Sequence, residues 1–350
     1  MLRFTTGILL ALAVGAQGRE IAICDTDSGL FGDDGAALVM LLRSPSQVAI
    51  HGIAVTPGNV WPAQGAEYTF HILELLKRPQ VPVFTGAERP LVNSAAMARE
   101  SERRWGSLEY TGAFAQDPAT VYSAPRAPLT NRKPRHESAV AFLIAEIERY
   151  PGELTILAIG PMTNIALALR LKPAVETKIK QIVFMGGNIR VAGNASTAAE
   201  FNFWFDPEAA RIVLRSRIPN KVMFGLDICN LAVLRKTEFD QIASARTPIT
   251  DLFREDLGNR YPGFLKHPEA TANMWDSLAA AYLIDPGFVT KSETRYLDVQ
   301  TAWGQFYGST TPLDRRLAPD ATPVRVMLDL DIQRVQPPGK AAAGKIACPT

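Results

Sequence analysis

The stretch Ile21-Ala-Ile-Cys-Asp-Thr-Asp-Ser-Gly-Leu-Phe-Gly-Asp-Asp34, running straight into Gly-Ala-Ala-Leu-Val-Met-Leu-Leu42, limits what this chain can be. Its first residues form a short apolar run, the mark of a strand buried on both faces of a parallel sheet. A loop with Ser28, Gly29 and Gly32 follows, and then an apolar helix. Asp25, Asp27, Asp33 and Asp34 therefore stand where a strand gives way to a helix, the end of an α/β sheet at which ligands bind. Carboxylates packed this densely repel one another unless a cation, protons or hydrogen-bond donors compensate. Hard oxygen ligands on a glycine-bent loop suit Ca²⁺ or Mg²⁺ better than zinc or copper. The positive end of a helix dipole explains acids at Asp33 and Asp34. It does not explain the pair in the strand.

The same strand–turn–helix order recurs along the chain. Residues 47–55 read as a strand ending in Thr56-Pro-Gly-Asn59, and 63–76 as a helix. Residues 81–84 begin another short strand, 138–150 form an amphipathic helix, and 154–159 form a strand turning through Gly160-Pro-Met-Thr-Asn164. Residues 179–185 and 221–227 are further strands, and 296–299 with 324–331 look like a β-rich edge. This order predicts an α/β fold: a single doubly wound, mostly parallel sheet with helices on both faces. Residues 92–135 are polar and irregular, with Trp105, Tyr110, Phe114 and Tyr122 scattered through them. They read equally well as an active-site lid or as a surface excursion. No composition break divides 17–335, and the Pro/Gly/Ala/Lys tail 336–350 is expected to be disordered.

Composition closes several routes. With 37 basic and 35 acidic residues, nothing favours nucleic acid or an anionic membrane as partner. Arg3 precedes an apolar segment at 7–16, and Val14 and Ala16 suit cleavage before Gln17. Residues 1–16 thus read as a signal peptide too short to span a bilayer, giving a secreted or periplasmic protein with no membrane partner after cleavage. Cys24, Cys229 and Cys348 form neither a disulfide framework nor a zinc motif. There is no dinucleotide fingerprint and no P-loop, and the four histidines show no metal spacing and no nucleophile elbow to serve. The chemistry rests on carboxylates.

Asp25-Thr-Asp-Ser-Gly29 with Asp33-Asp34 resembles the N-terminal signature of the inosine–uridine-preferring nucleoside hydrolase family, in a variant with two extra residues before the Asp pair. The likeness continues in family order through Val55-Thr-Pro-Gly-Asn59, Val81-Pro-Val-Phe-Thr-Gly-Ala87, Gly160-Pro-Met-Thr-Asn-Ile-Ala-Leu-Ala-Leu169 and Phe184-Met-Gly-Gly187. It then runs through Gly193-Asn194, Ala199-Glu-Phe-Asn202, Asp206-Pro-Glu-Ala-Ala210, Gly225-Leu-Asp227 and Trp275-Asp-Ser-Leu-Ala279. A lone DxD is weak; segments in this order from residue 21 to about 335 are strong.

The resemblance implies a Ca²⁺ cofactor held by Asp27, Asp34, Asp276 and the backbone carbonyl of Ile159, with Asp27 as general base. Water would attack the ribose C1′ of a nucleoside while the N-glycosidic bond breaks. Asp33, Asn59, Met185, Asn194, Glu200 and Asn202 match the family's ribose-binding positions, although Asn194 and Asn202 also suit turns and caps. The family's dimers and tetramers imply a homodimer or homotetramer. Trp275 stands where many members carry the histidine that protonates the leaving base, and an indole N–H cannot do this. The substitution resembles the purine-preferring branch, in which Trp stacks on the base, with Trp61 or Trp105 available for its other face. Phe31, and Pro57 before Gly58, are further departures. The sequence leaves open hydrolysis of another N-riboside, a binding protein that has lost turnover, and Trp275 as a core aromatic. A metal phosphatase could also carry Asp25-Thr-Asp27, but the chain lacks a basic cluster for phosphate.

Overall fold

Strand β1 (Glu20–Thr26) is buried along all but its first two residues, which only a central position in a sheet allows. In the computed structural model, which describes residues 18–115, 130–260 and 263–335, that position is filled. After β1 come α1 (Gly32–Arg43), β2 (Val48–Val55), α2 (Pro62–Leu75), β3 (Val83–Thr85), α3 (Ala95–Trp105) and α4 (Ala139–Arg149). Next are β4 (Leu154–Ala158), α5 (Thr163–Leu171), β5 (Gln181–Met185), α6 (Phe201–Phe205), α7 (Pro207–Arg215), β6 (Lys221–Phe224) and α8 (Leu226–Cys229). The chain then forms β7 (Val233–Arg235), α9 (Lys236–Ala243), α10 (Pro248–Arg260), β8 (Thr271–Asn273) and α11 (Trp275–Ile284). It finishes with β9 (Val289–Val299), β10 (Thr310–Pro312) and β11 (Pro323–Leu330).

Nine strands make one sheet in the order β10-β9-β11-β6-β5-β4-β1-β2-β3. From β11 to β3 every pairing is parallel; β9 and β10 add antiparallel strands at one edge. Strands β7 and β8 pair as a separate antiparallel ribbon. The chain leaves β1 toward β2 and β3, then returns to lay β4, β5 and β6 on its other side. The order therefore reverses between β1 and β4, and a crevice opens beyond their carboxyl ends.

Two apolar layers cover the sheet. Leu38 and Leu41 of α1, Phe70 of α2, Phe253 of α10 and Leu278 of α11 belong to one core; Phe142 of α4, Ile165 of α5 and Val213 of α7 belong to the other. Helix starts are capped where the sequence supplies oxygen acceptors. Ser138 accepts from the N–H of Ala141, and Asp206 from that of Ala209 just before Pro207, each cap worth about 1 kcal/mol.

The expected fold is present, including the β-rich edge. Residues 92–135 differ from the irregular insertion expected. Within them α3 forms, with Ser94 accepting from the Met97 N–H as its cap. The helix shows little apolar face because it buries only Ala98. The expected leader over 1–16, the tail 336–350 and Tyr122 lie outside the described residues. Among the described residues no helix is long and apolar enough to cross a membrane.

Candidate active site

The carboxyl end of β1 and the loop into α1 line the floor of a cavity of about 500 Å³. Asp27, Asp33, Asn59, Ile159, Met185, Asn194, Glu200, Asn202, Trp275 and Asp276 all reach its wall. Of the residues expected to hold the cation or the ribose, only Asp34 stands behind it. Asp34 is 1% exposed and accepts from the Thr26 hydroxyl and, at 3.0 Å, from the Asn59 side-chain amide.

Asn59 also donates its backbone N–H to Asp27 at 2.7 Å, so one residue after β2 orients two carboxylates. This approach depends on Gly58. A Cβ there would lie 2.0 Å from Asp27 Oδ2. Asp33, Asp34 and Asp276 place carboxylate oxygens within 4.8 Å of one another, and Asp27 shares a hydrogen bond with Asp34. Burial, reinforced by like charge, pushes Asp34 up to about 7 and holds Asp27 and Asp276 well above the usual carboxylate range. Asp25, one layer below, is pushed up to about 8 by burial; only one of its oxygens has a partner, the Asn164 amide at 3.1 Å.

Such a floor is costly without a cation. Arg260 lowers Asp33 and Asp34 but does not outweigh burial, so the floor keeps excess negative charge. Buried hard oxygens with that charge, beside the Ile159 residue whose N–H is already spent on the Asp25 carbonyl at 2.8 Å, fit a divalent metal ion.

The ribose-side residues carry structural duties as well. Glu200 caps α6, accepting from the N–H groups of Asn202 at 2.7 Å and Phe203 at 3.1 Å, and reaches Gly187 N at 2.7 Å. Burial pushes its carboxyl up to about 7. Asn202 donates to the Met185 carbonyl at 3.1 Å, and Asn194 accepts from the Phe201 N–H at 2.8 Å. Since a carboxylate offers about four lone-pair sites, these bonds leave Glu200 acceptor capacity toward the cavity.

Trp275 opens α11 on the cavity wall, half-buried, with its indole N–H on Asn230 at 3.1 Å. Neither tryptophan expected to face it does so. Trp61, before α2, packs 6.0 Å from the Phe114 ring of a separate aromatic cluster, and Trp105, at the end of α3, lies 4.9 Å from Trp303. The aromatic walls of the cavity besides Trp275 are Tyr110, Phe201 and Phe253. Tyr110 meets Phe201 edge-on at 4.7 Å and donates its hydroxyl to Asn59 at 2.8 Å.

The sequence placed Tyr110 only in a segment that could form a lid or active-site wall, did not single out Phe201 as a wall residue, and expected helices before Asn273 without tying α10 to the site. Asp256 on α10 accepts from the Gly32 N–H at 2.9 Å and pairs with Arg260 at 3.1 Å. The Arg260 guanidinium lies against Gly32, where φ is +59° and a Cβ would come within 2.7 Å of it. Phe31, where an acid was the commoner expectation, is buried and stacks on Phe253 at 4.8 Å. The i,i+4 spacing of Asp256 and Arg260 was visible, but nothing local says which loop it grips.

The model of the inosine-uridine preferring nucleoside hydrolase family matches residues 22–337. The chain belongs to this family. Its sequence is 32% identical over 317 residues to the pyrimidine-specific ribonucleoside hydrolase RihA of Salmonella gallinarum, covering 89% of this chain and 94% of that one. The purine-preferring ribonucleoside hydrolase from Gardnerella vaginalis is 28% identical, with a TM-score of 0.70 over 90% of this chain and 95% of that one. An inosine-guanosine nucleoside hydrolase, 24% identical, shares the fold with a TM-score of 0.72 over 90% and 96%. The protein is thus a nucleoside N-ribohydrolase, hydrolysing the N-glycosidic bond of a nucleoside. In this hydrolase the carboxylate-floored cavity lies at the β1/β4 switch point, and Asp33, Asp34 and Asp276 could together hold a metal ion.

Proposed function

We propose that the chain is a Ca²⁺-dependent ribohydrolase that prefers purine ribonucleosides, releasing free base and ribose. The observation that carries the preference is Trp275 on the wall of a carboxylate-floored cavity that no histidine lines among the described residues. An indole face supports a base by stacking, and a larger purine offers it more area.

Asp27, Asp34, Asp276 and the Ile159 carbonyl would hold the cation, with Asp33 beside them. When bound, the cation supplies positive charge that keeps these carboxylates ionised and weakens the hold of nearby water on its proton. Asp27, fixed by the Asn59 N–H, then accepts a proton from the attacking water. Asp33, Asn59, Asn194, Glu200 and Asn202 line the cavity as hydrogen-bonding groups for the ribose hydroxyls, with Met185 packing beneath the sugar. Trp275 stacks on the base and makes it easier to protonate from solvent as the N-glycosidic bond breaks, without itself giving up a proton. The apolar segment over 7–16 supports export, which sequencing the mature N-terminus would check.

Release of ribose from inosine, guanosine, adenosine, uridine and cytidine, with Ca²⁺ and with chelator, beside an Asp27→Ala control, tests the proposal. Purine hydrolysis lost with chelator and in the variant is the expected result. Hydrolysis of uridine and cytidine instead would retain the mechanism and overturn the purine preference. That second reading draws support from the Salmonella relative, described as pyrimidine-specific.

A further inference from the structure

The short segment after α3 crosses the cavity mouth, pinned by its backbone at both ends. The Glu109 N–H donates to the Ala195 carbonyl at 2.9 Å, and the Ala113 N–H to the Gly58 carbonyl at 2.8 Å. It therefore bridges the turn after β2 to the loop after β5. Between these anchors Tyr110 reaches inward, its ring held edge-on by Phe201 and its hydroxyl 2.8 Å from Asn59 Oδ1.

Asn59 is the joint on which the acidic floor turns. A carboxylate can only accept, so Asp34 demands the Nδ2 side of the amide, 3.0 Å away. That choice turns Oδ1 outward, where it needs a donor. Tyr110 supplies one. Without the phenol, the amide oxygen loses its donor and the side chain is held at one end alone, by its bond to Asp34. The same residue's backbone N–H holds Asp27. We propose that Tyr110 is a positioning residue that acts through Asn59, locking the amide so that Asp34 and Asp27 keep the orientation needed to hold the cation. This rests on the proposed function for its cation and substrate, and adds a residue from outside the acidic floor.

The test is a double-mutant cycle on the full chain, read by calorimetric titration with Ca²⁺ in the absence of nucleoside. Tyr110→Phe keeps the ring on Phe201 and removes only the hydroxyl. It should weaken Ca²⁺ binding about tenfold, the usual effect of losing an outer hydrogen bond to a metal site. In an Asn59→Ala background the same change should have no further effect, because the group it acts through is gone. Thermal melting of each variant separates this from unfolding, and Tyr110→Phe should melt with the wild type. In turnover, kcat should fall, with any rise in KM accompanying that fall because Asn59 also faces the ribose.

Wild-type Ca²⁺ affinity in Tyr110→Phe would overturn the proposal. So would an equal loss in both backgrounds, or a raised KM at unchanged kcat, which would make Tyr110 a substrate contact instead. Since the isotherms need no nucleoside, they decide the positioning role even if none of the five nucleosides is hydrolysed.

Discussion

The floor and the rim of the cavity are built by different means. The floor takes Asp27, Asp33 and Asp34 from one strand–loop–helix unit, with Ile159 from the neighbouring strand end and Asp276 from the start of α11. Its donors come from part-buried backbone and amide groups, above all Asn59. The rim is gathered from afar. Tyr110 follows α3, Phe201 begins α6, Asp256 and Arg260 ride on α10, and Trp275 starts α11. Tyr110 is 42% exposed, whereas Asp27 and Asp34 are 1% exposed. The charged floor is packed down against the carboxyl end of the sheet, and the rim groups sit on more distant helix ends and loops.

If that division holds, damage to the floor abolishes catalysis and damage to the rim redirects it. Asp27→Asn should lower kcat by about 10²–10⁴-fold, the span ascribed to a general base, with a melting temperature no lower than wild type. Gly58→Ala is the sharper test. Its methyl group would displace the Asp27 carboxylate, so kcat should approach that of Asp27→Asn although no catalytic atom is removed. A kcat within twofold of wild type would show that the floor tolerates misalignment and would break the comparison.

The rim predicts smaller and more selective effects. Trp275→Ala should raise KM for purine nucleosides by the loss of about 1–3 kcal/mol of stacking, with uridine and cytidine less affected. Equal losses on all five nucleosides, measured as kcat/KM, would make Trp275 a structural residue instead. Arg260→Met removes the cation gripping Gly32 and Asp256. Ca²⁺ titration of that variant should show weaker binding as the acidic loop loosens, by less than the loss seen in Asp34→Asn.

The smallest expected effect lies at the far end of the sheet and serves as a control. Lys221 at the start of β6 is buried, its ammonium held by the Ser216 and Ile218 carbonyls and the Thr322 hydroxyl. Desolvation lowers its pKa to about 8. Between pH 8 and 10.5 the unfolded lysine keeps its proton and the folded one has lost it, so stability should rise with pH across that window. Lys221→Met should flatten this rise, by at most about 3 kcal/mol. The purine/pyrimidine ratio should not move.

How far the sequence could be read follows the same line. The parallel sheet was legible because strands buried on both faces must be continuous apolar runs, as in Leu154–Ala158. The floor was legible because Asp27, Asp33 and Asp34 share one turn, and the ordered family segments carried Ile159 and Asp276 with them. Trp275 was found by its neighbour Asp276. The partner of Trp275 was not. Trp61 and Trp105 were the aromatic residues nearest to hand, yet they pack on Phe114 and Trp303. α3 was hidden because a helix that buries one alanine leaves almost no apolar period to read.

The sequence by itself determined the parallel sheet and the Asp27, Asp33 and Asp34 part of the acidic floor, because each is written in contiguous residues whose periodicity or charge density has few other physical solutions. Only the tertiary structure decided which residues close the cavity. The bond between Tyr110 and Asn59 spans 51 positions and that between Gly32 and Asp256 spans 224. Contacts at such separations are fixed by how helices pack on the sheet, and no local pattern in the chain records them.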